Sequence, residues 1–214
     1  MVSLSNFFQK RATPIIDFSA LKADIHSHLL PGIDDGCRTI EESIAIIRKL
    51  KDLKLEKLIT TPHINYNYPK NTPDIILNEL KKINEALQIN NINIKIEAAA
   101  EYMVDDGFEK KFLSGNLLTF GKKYLLIELS YFFAPSNLVP LLFKLQIEGY
   151  KIVLAHPERY IYWHKSFEIF EDLKNRGIYF QLNMVSLTGI YSHQIRRIAE
   201  KLIENRDKLK VWVK

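Results

Sequence analysis

The chain has 214 residues, 47% of them hydrophobic, with 30 basic against 25 acidic side chains and a formal charge of +5. That length supports one sizeable core, in one domain or at most two small ones. No apolar run reaches the roughly 18 residues a membrane-spanning helix needs, and a single cysteine, Cys37, excludes an internal disulfide.

The opening stretch MVSLSNFFQKRATPIIDF lacks the long apolar segment and small-residue cleavage site of a signal peptide. A reduced, cytoplasmic protein is expected, with residues 1–16 as a tail and 17–214 as one domain. The excess of base is concentrated in residues 206–214, where four basic and one acidic side chain supply +3 of the total. Elsewhere lysines sit among glutamates at helical spacing, as on a solvated face, so no nucleic-acid partner is expected.

Taken in chain order, a strand is predicted over 22–28 and a helix over 40–53, with Thr39 and Glu42 in the form of a capping box. Ile44, Ile47, Leu50 and Leu53 give that helix one buried stripe. A strand over 57–63, a helix over 72–88 and a strand over 93–101 follow. Next come strand 124–130, helix 138–148, strand 151–156, helix 167–176, strand 179–183, helix 192–205 and a weak last strand over 210–213. The strands read as nearly continuous apolar runs, such as LLIEL and IVLA, which is what strands covered on both faces require. Alternation of this kind predicts an α/β fold with a parallel sheet.

The polar residues of interest cluster at the predicted C-terminal ends of strands: His26, His28, His63, Glu101, Glu128, His156 and Asn183. In parallel α/β folds that edge is where sites are built. His26 and His28, two apart on a strand, point to one face and can reach one metal. Glu101 follows three alanines, which leave room for an inward carboxylate. Glu128 interrupts an apolar run, where a charge needs a cation or a counter-ion; an ion pair with lysine or arginine is the alternative. Arg159, three residues after His156, offers planar donors suited to a phosphate, the alternative being an ion pair with Glu158.

Mixed imidazole and carboxylate donors suit Zn, Mn or Fe better than Mg or Ca. Clustered metals of this kind suit phosphoester hydrolysis. Cys37 lacks the Cys-x5-Arg loop of a thiolate phosphatase and is read as an ordinary buried thiol. His164 and His193 are read as surface or packing residues, and Tyr160, Tyr162 and Trp163 chiefly as packing.

Several motifs together resemble one family. They are Asp-Ile-His-Ser-His-Leu-Leu-Pro-Gly-Ile-Asp-Asp-Gly at 24–36, Thr-Pro-His at 61–63, Ala-Ala-Glu at 99–101, Leu-Ala-His-Pro-Glu-Arg-Tyr at 154–160 and Gln-Leu-Asn…Ser-Leu-Thr-Gly at 181–189. This pattern is similar to the PHP-superfamily bacterial tyrosine-protein phosphatases of capsule and exopolysaccharide synthesis, over residues 17 to about 205. The resemblance implies a distorted (βα)7-type parallel barrel and manganese, with Fe, Zn or Mg as alternatives, at up to three sites. It implies His26, His28, His63, Glu101, Glu128 and His156 as metal ligands, Arg159 as a phosphate-binding residue, and a phosphotyrosine protein, a bacterial tyrosine kinase, as partner. Such proteins carry a further Asp-x-His pair near the end, and none follows His156 here. The expectation is an incomplete last strand, fewer metals, and weakened activity unless Asp207 or a neighbouring chain substitutes. A small-molecule phosphatase of histidinol-phosphate type and a non-catalytic phosphotyrosine-binding or kinase-binding remnant are the competing readings.

Overall fold

A computed structural model describes residues 21–213. The expected tail, 1–16, lies outside the described residues. Strands β1 (Ala23–Ser27), β2 (Lys57–Thr60), β3 (His63–Ile64), β4 (Lys95–Ala98), β5 (Glu101–Met103), β6 (Tyr124–Glu128), β7 (Lys151–Ala155), β8 (Tyr179–Leu182) and β9 (Val211–Val213) alternate with helices. These are α1 (Ile40–Asp52), α2 (Pro73–Ile89), α3 (Phe108–Leu113), α4 (Leu138–Ile147), α5 (Glu168–Asn175), α6 (His193–Glu204) and α7 (Arg206–Leu209). Every pairing between these strands is parallel. The α/β class and the weak last strand are both observed.

Two sheets form, in the orders β1-β2-β4 and β3-β5-β6-β7-β8-β9. The predicted strands 57–63 and 93–101 each break in two. Pro62 has no N–H to donate to a ladder, and its carbonyl instead accepts from Glu101 N at 3.0 Å. Beside it Ala100 N leaves the ladder for Leu118 O at 3.3 Å. The chain thus carries one layer from the first sheet into the second, and Glu101 opens β5 instead of closing a strand. Among the described residues no ladder joins β1 to β9, so hydrogen bonds do not close the sheets into a ring.

Helix α1 starts as expected, with Thr39 Oγ1 accepting from Glu42 N at 3.2 Å. The capping box is only half formed, because the Glu42 carboxylate accepts from Arg38 N at 2.7 Å. Leu53 falls at the C-cap, 43% exposed, and drops out of the stripe. Helix α3 was not predicted: it is too short to show a period, although Phe108 and Phe112, one turn apart, are both buried.

The strands separate two cores by the two-residue period of their side chains. Leu125, Ile127, Ile152, Leu154 and Phe180 face the helices in the larger core. Ile59, Ala99, Leu126, Val153 and Ala155 face inward, with Phe120, Ile25, Tyr124, Tyr179 and Trp212 packed among them. Two positions beyond Ala99, Leu126 and Tyr179 on the same inner face stand Glu101, Glu128 and Gln181. The inner layer is therefore apolar at the N-terminal ends of the strands and polar at their C-terminal ends.

Candidate metal centre

The six residues singled out as ligands converge at that polar end, most of them buried. Glu101, fully buried, is the hub. Its Oε2 lies 3.0 Å from His26 Nε2, 3.6 Å from His28 Nε2 and 3.2 Å from His63 Nδ1, and its Oε1 lies 2.9 Å from His156 Nε2. Glu128 faces the same histidines, 3.2 Å from His63 Nδ1 and 3.7 Å from His156 Nε2. The alternative of a lysine or arginine partner for Glu128 is not realised among the described residues.

Local structure aims each group. The β1–β2 register shifts between Asp24 and Ser27, the stretch that carries His26, as bulges beside active sites do. His156 leaves β7 in the left-handed region, at φ 32°, and begins a short 3₁₀ turn, Pro157–Arg159. Gly36 packs directly on His28: a Cβ there would fall 2.2 Å from the His28 carbonyl oxygen. That contact requires glycine.

A surrounding set of polar groups fixes the rings. Gln181 Oε1 sits 2.6 Å from His26 Nδ1 and also accepts from His156 N at 3.3 Å, while Gln181 Nε2 donates to Asn183 Oδ1 at 2.8 Å. An amide oxygen only accepts, so His26 carries its hydrogen on Nδ1 and turns Nε2 toward Glu101. Asp34 does the same for His28, 2.7 Å from its Nδ1, and also accepts from Gly36 N and His63 N. Burial opposes the charge on Asp34, but His28 and these amides hold its carboxyl below the usual range.

The electrostatics call for positive charge. Burial raises the cost of ionising Glu101, yet His26 and His156 hold its pKa well below the ordinary value. Burial also opposes protonation of His63, but the carboxylates of Glu128, Glu101 and Asp35 outweigh it and raise its pKa to about 9. Ring nitrogens whose lone pairs face carboxylates repel them unless a proton or a metal ion lies between. His156 Nδ1 is buried without a hydrogen-bond partner among the described residues. Ligand atoms of three groups, His26–His28–Glu101, His28–Asp35–His63 and His63–Glu101–Glu128, each lie within 4.8 Å of one another. Such a donor set fits metal cations sharing Glu101.

The cavity above the cluster measures about 470 Å³ and is walled by Tyr68, Tyr131, Tyr191 and Arg159. Tyr68 stacks on His63 with ring centroids 5.8 Å apart. Arg159 does not pair with Glu158. That carboxylate is buried and accepts from Asn183 N at 3.1 Å and Ser186 Oγ at 2.7 Å. Burial pushes its pKa up.

The packing roles expected elsewhere hold. Tyr160 donates to Ala155 O and accepts from Leu129 N, and Tyr162 donates to Ser130 O. Cys37 is buried, and burial raises its thiol pKa. His193 is exposed, and His164 lies 2.8 Å from the Glu158 carbonyl through Nε2. Asp207 lines a separate cleft with Glu171 and Lys174 and takes no part in the cluster.

Sequence reasoning missed the roles of Asp34, Asp35 and Gln181, and of the three tyrosines. Gln181 carried the same signal as Glu128, a polar residue inside an apolar strand.

Comparison with known proteins agrees with this geometry. The family described as "Capsular polysaccharide synthesis, CpsB/CapC" matches residues 22–211. The tyrosine-protein phosphatase YwqE of Bacillus subtilis is 30% identical over 182 residues, covering 85% of this chain and 72% of YwqE. The tyrosine-protein phosphatase CpsB of Streptococcus agalactiae is 27% identical over 161 residues, covering 75% of this chain and 66% of CpsB. Among solved structures, one from a study of YwqE from Bacillus subtilis and CpsB from Streptococcus pneumoniae, described as metal-dependent tyrosine phosphatases, superposes with a TM-score of 0.80. It is 29% identical and covers 86% of this chain and 75% of the other. The chain belongs to the CpsB/CapC family of capsular polysaccharide synthesis.

Proposed function

We propose that the chain is a metal-dependent phosphatase that hydrolyses phosphotyrosine on a protein, namely an autophosphorylated bacterial tyrosine kinase of polysaccharide synthesis. The observation that carries this reading is the convergence of four imidazoles on Glu101, with Glu128 facing two of them, beside an Arg159 with no carboxylate partner among the described residues. The names of the relatives YwqE and CpsB support the same substrate class. The proposed compartment is the cytoplasm, where Cys37 stays reduced. The finer architecture in this reading is a distorted (βα)7 barrel of PHP type, supported by the inner core to which β1, β2 and β6 to β9 all contribute.

His26, His28, His63, Glu101, Glu128 and His156 would hold the cations, with manganese as the proposed native metal ahead of Fe, Zn and Mg. When bound, such cations neutralise phosphoryl oxygens and lower the pKa of water.

The chain supplies the rest. Gln181 and Asp34 keep the His26 and His28 rings in the tautomer that presents the Nε2 lone pair for ligation. Arg159 offers N–H donors to phosphate oxygens and to the charge that grows on them during in-line displacement. Tyr68, stacked on His63, gives the cavity a flat apolar wall that suits an aryl ring. A tyrosine oxygen, with a pKa of about 10, leaves readily enough that a dedicated general acid is not required.

The test is phosphate release by purified chain reconstituted with each metal, comparing a phosphotyrosyl peptide, a phosphoseryl peptide and histidinol phosphate. Manganese-stimulated release from the phosphotyrosyl peptide is expected. Preference for histidinol phosphate, or binding of the peptide with no release under any metal, would overturn the proposal.

A further inference from the structure

Arg159 sits in the cavity in an unusual setting. Among the described residues its guanidinium has no ion-pair or hydrogen-bond partner, yet an aromatic ring lies on it from each of two elements. Its Cζ is 4.6 Å from the ring centroid of Tyr131, which follows β6, and 4.6 Å from that of Tyr191, which precedes α6. Tyr131 is braced from behind, with its ring 5.7 Å from that of His156 and 6.3 Å from that of Tyr160. Both tyrosines line the cavity over the metal centre.

A guanidinium is flat. Its two faces accept aromatic rings through cation–π attraction, and all its N–H bonds lie in the plane, at the edge. Rings that hold the Cζ in this way still leave N–H donors for an oxyanion. They also remove most of the rotational freedom that a long side chain would otherwise lose on binding. Among the described residues no carboxylate competes for the edge.

We propose that Tyr131 and Tyr191 are positioning residues that clamp the Arg159 guanidinium so that its N–H edge faces the phosphate of the substrate. The inference rests on the phosphatase reading above for the identity of the anion. The rings, not the hydroxyls, do the holding.

The experiment compares Tyr131→Phe, Tyr191→Phe, Tyr131→Leu, Tyr191→Leu and the double leucine variant in the manganese-loaded protein. The probe is inorganic phosphate as a competitive inhibitor of phosphotyrosyl-peptide turnover. Both side chains are more than a third exposed (38% and 43%), so their truncation leaves the core intact. Phenylalanine should keep phosphate inhibition and KM within about twofold of the parent. Leucine should raise the inhibition constant for phosphate and KM by about tenfold, in keeping with loss of a cation–π contact, with a much smaller change in kcat and unchanged metal content. Leucine variants that bind phosphate as the parent does, or phenylalanine variants that fall as far as leucine, would overturn the clamp.

A second arm is independent of turnover: phenylglyoxal modification of Arg159, followed by peptide mapping. Modification should be about tenfold faster in the double leucine variant. An unchanged rate refutes the clamp. If the parent protein releases no phosphate with any metal, the phosphatase reading fails, and this second arm still decides whether the rings hold the guanidinium.

Discussion

Gln181 Oε1 lies 2.6 Å from His26 Nδ1, a contact between residues 155 positions apart that joins the last part of the fold to the first strand. It fixes which nitrogen of His26 faces Glu101. Substituting Gln181→Leu keeps the side chain's bulk and removes the acceptor. Manganese affinity, measured by calorimetric titration, should fall about 10- to 100-fold, as it does for other groups that orient a ligating histidine. Unchanged affinity would mean that the β1 bulge alone orients the ring.

Glu101 touches all four histidines, so its charge cannot be lost locally. In Glu101→Gln the buried neutral amide neither balances nor bridges cations. Bound metal per chain, by elemental analysis, should fall from more than one equivalent to a small fraction, with turnover down by at least about a hundredfold. The variant should still fold, since the carboxylate makes no backbone hydrogen bond among the described residues. Full metal content in this variant would remove Glu101 from the centre.

Loading should expel protons. The ring of His63 has its pKa raised from 6.5 to about 9 in the metal-free protein, so it is protonated at pH 7.5 and must lose that proton to ligate. Calorimetry in two buffers of different ionisation enthalpy should show proton release at pH 7.5 that fades above pH 9. A raised pKa contributes stability that is fully present below about 6.5 and lost as pH climbs through about 9. The metal-free Tm should therefore drop across that window, while the manganese-loaded Tm changes less. A metal-free Tm that is flat from pH 6.5 to 9.5 would contradict the assignment.

Gly36 offers a sharp test of how the first histidine loop is built. Gly36→Ala places a methyl group 2.2 Å from the His28 carbonyl oxygen and 2.4 Å from its Cβ. The loop must shift, at a cost of about 1–3 kcal/mol. Thermal melts should show the loss, and manganese affinity should fall with it because the Asp34 carboxylate, which accepts from Gly36 N in the same loop, holds the His28 ring. A neutral substitution would show that the loop relaxes freely.

Much of this was legible in the sequence, for reasons that differ by residue. The parallel α/β class followed from apolar runs alternating with amphipathic segments. The donors could be picked out because charge or imidazole at the end of a buried strand stands against its surroundings, as Glu128 does in LLIEL. The breaks at Pro62 and Ala100 were not visible, since they depend on which neighbours β2 and β4 pair with. Helix α3 was too short to carry a period. Asp34 reads as an ordinary turn residue in Ile-Asp-Asp-Gly, and only its fold-dependent contact with His28 reveals its role. The rings beside Arg159 were unpredictable for the same reason: Tyr131 and Tyr191 are loop residues 60 positions apart, and nothing local joins them.

The donor groups arrive on β1, β3, β5, β6 and the end of β7, with contacts to Glu101 reaching across 75 residues to His26 and 55 to His156. No contiguous peptide cut from this chain could reproduce that arrangement; a segment around β1 offers only His26, His28, Asp34 and Asp35. Uptake of a divalent ion should therefore behave as a late and all-or-none event in biogenesis, and the ion would serve the cell as a seal on correctly assembled molecules.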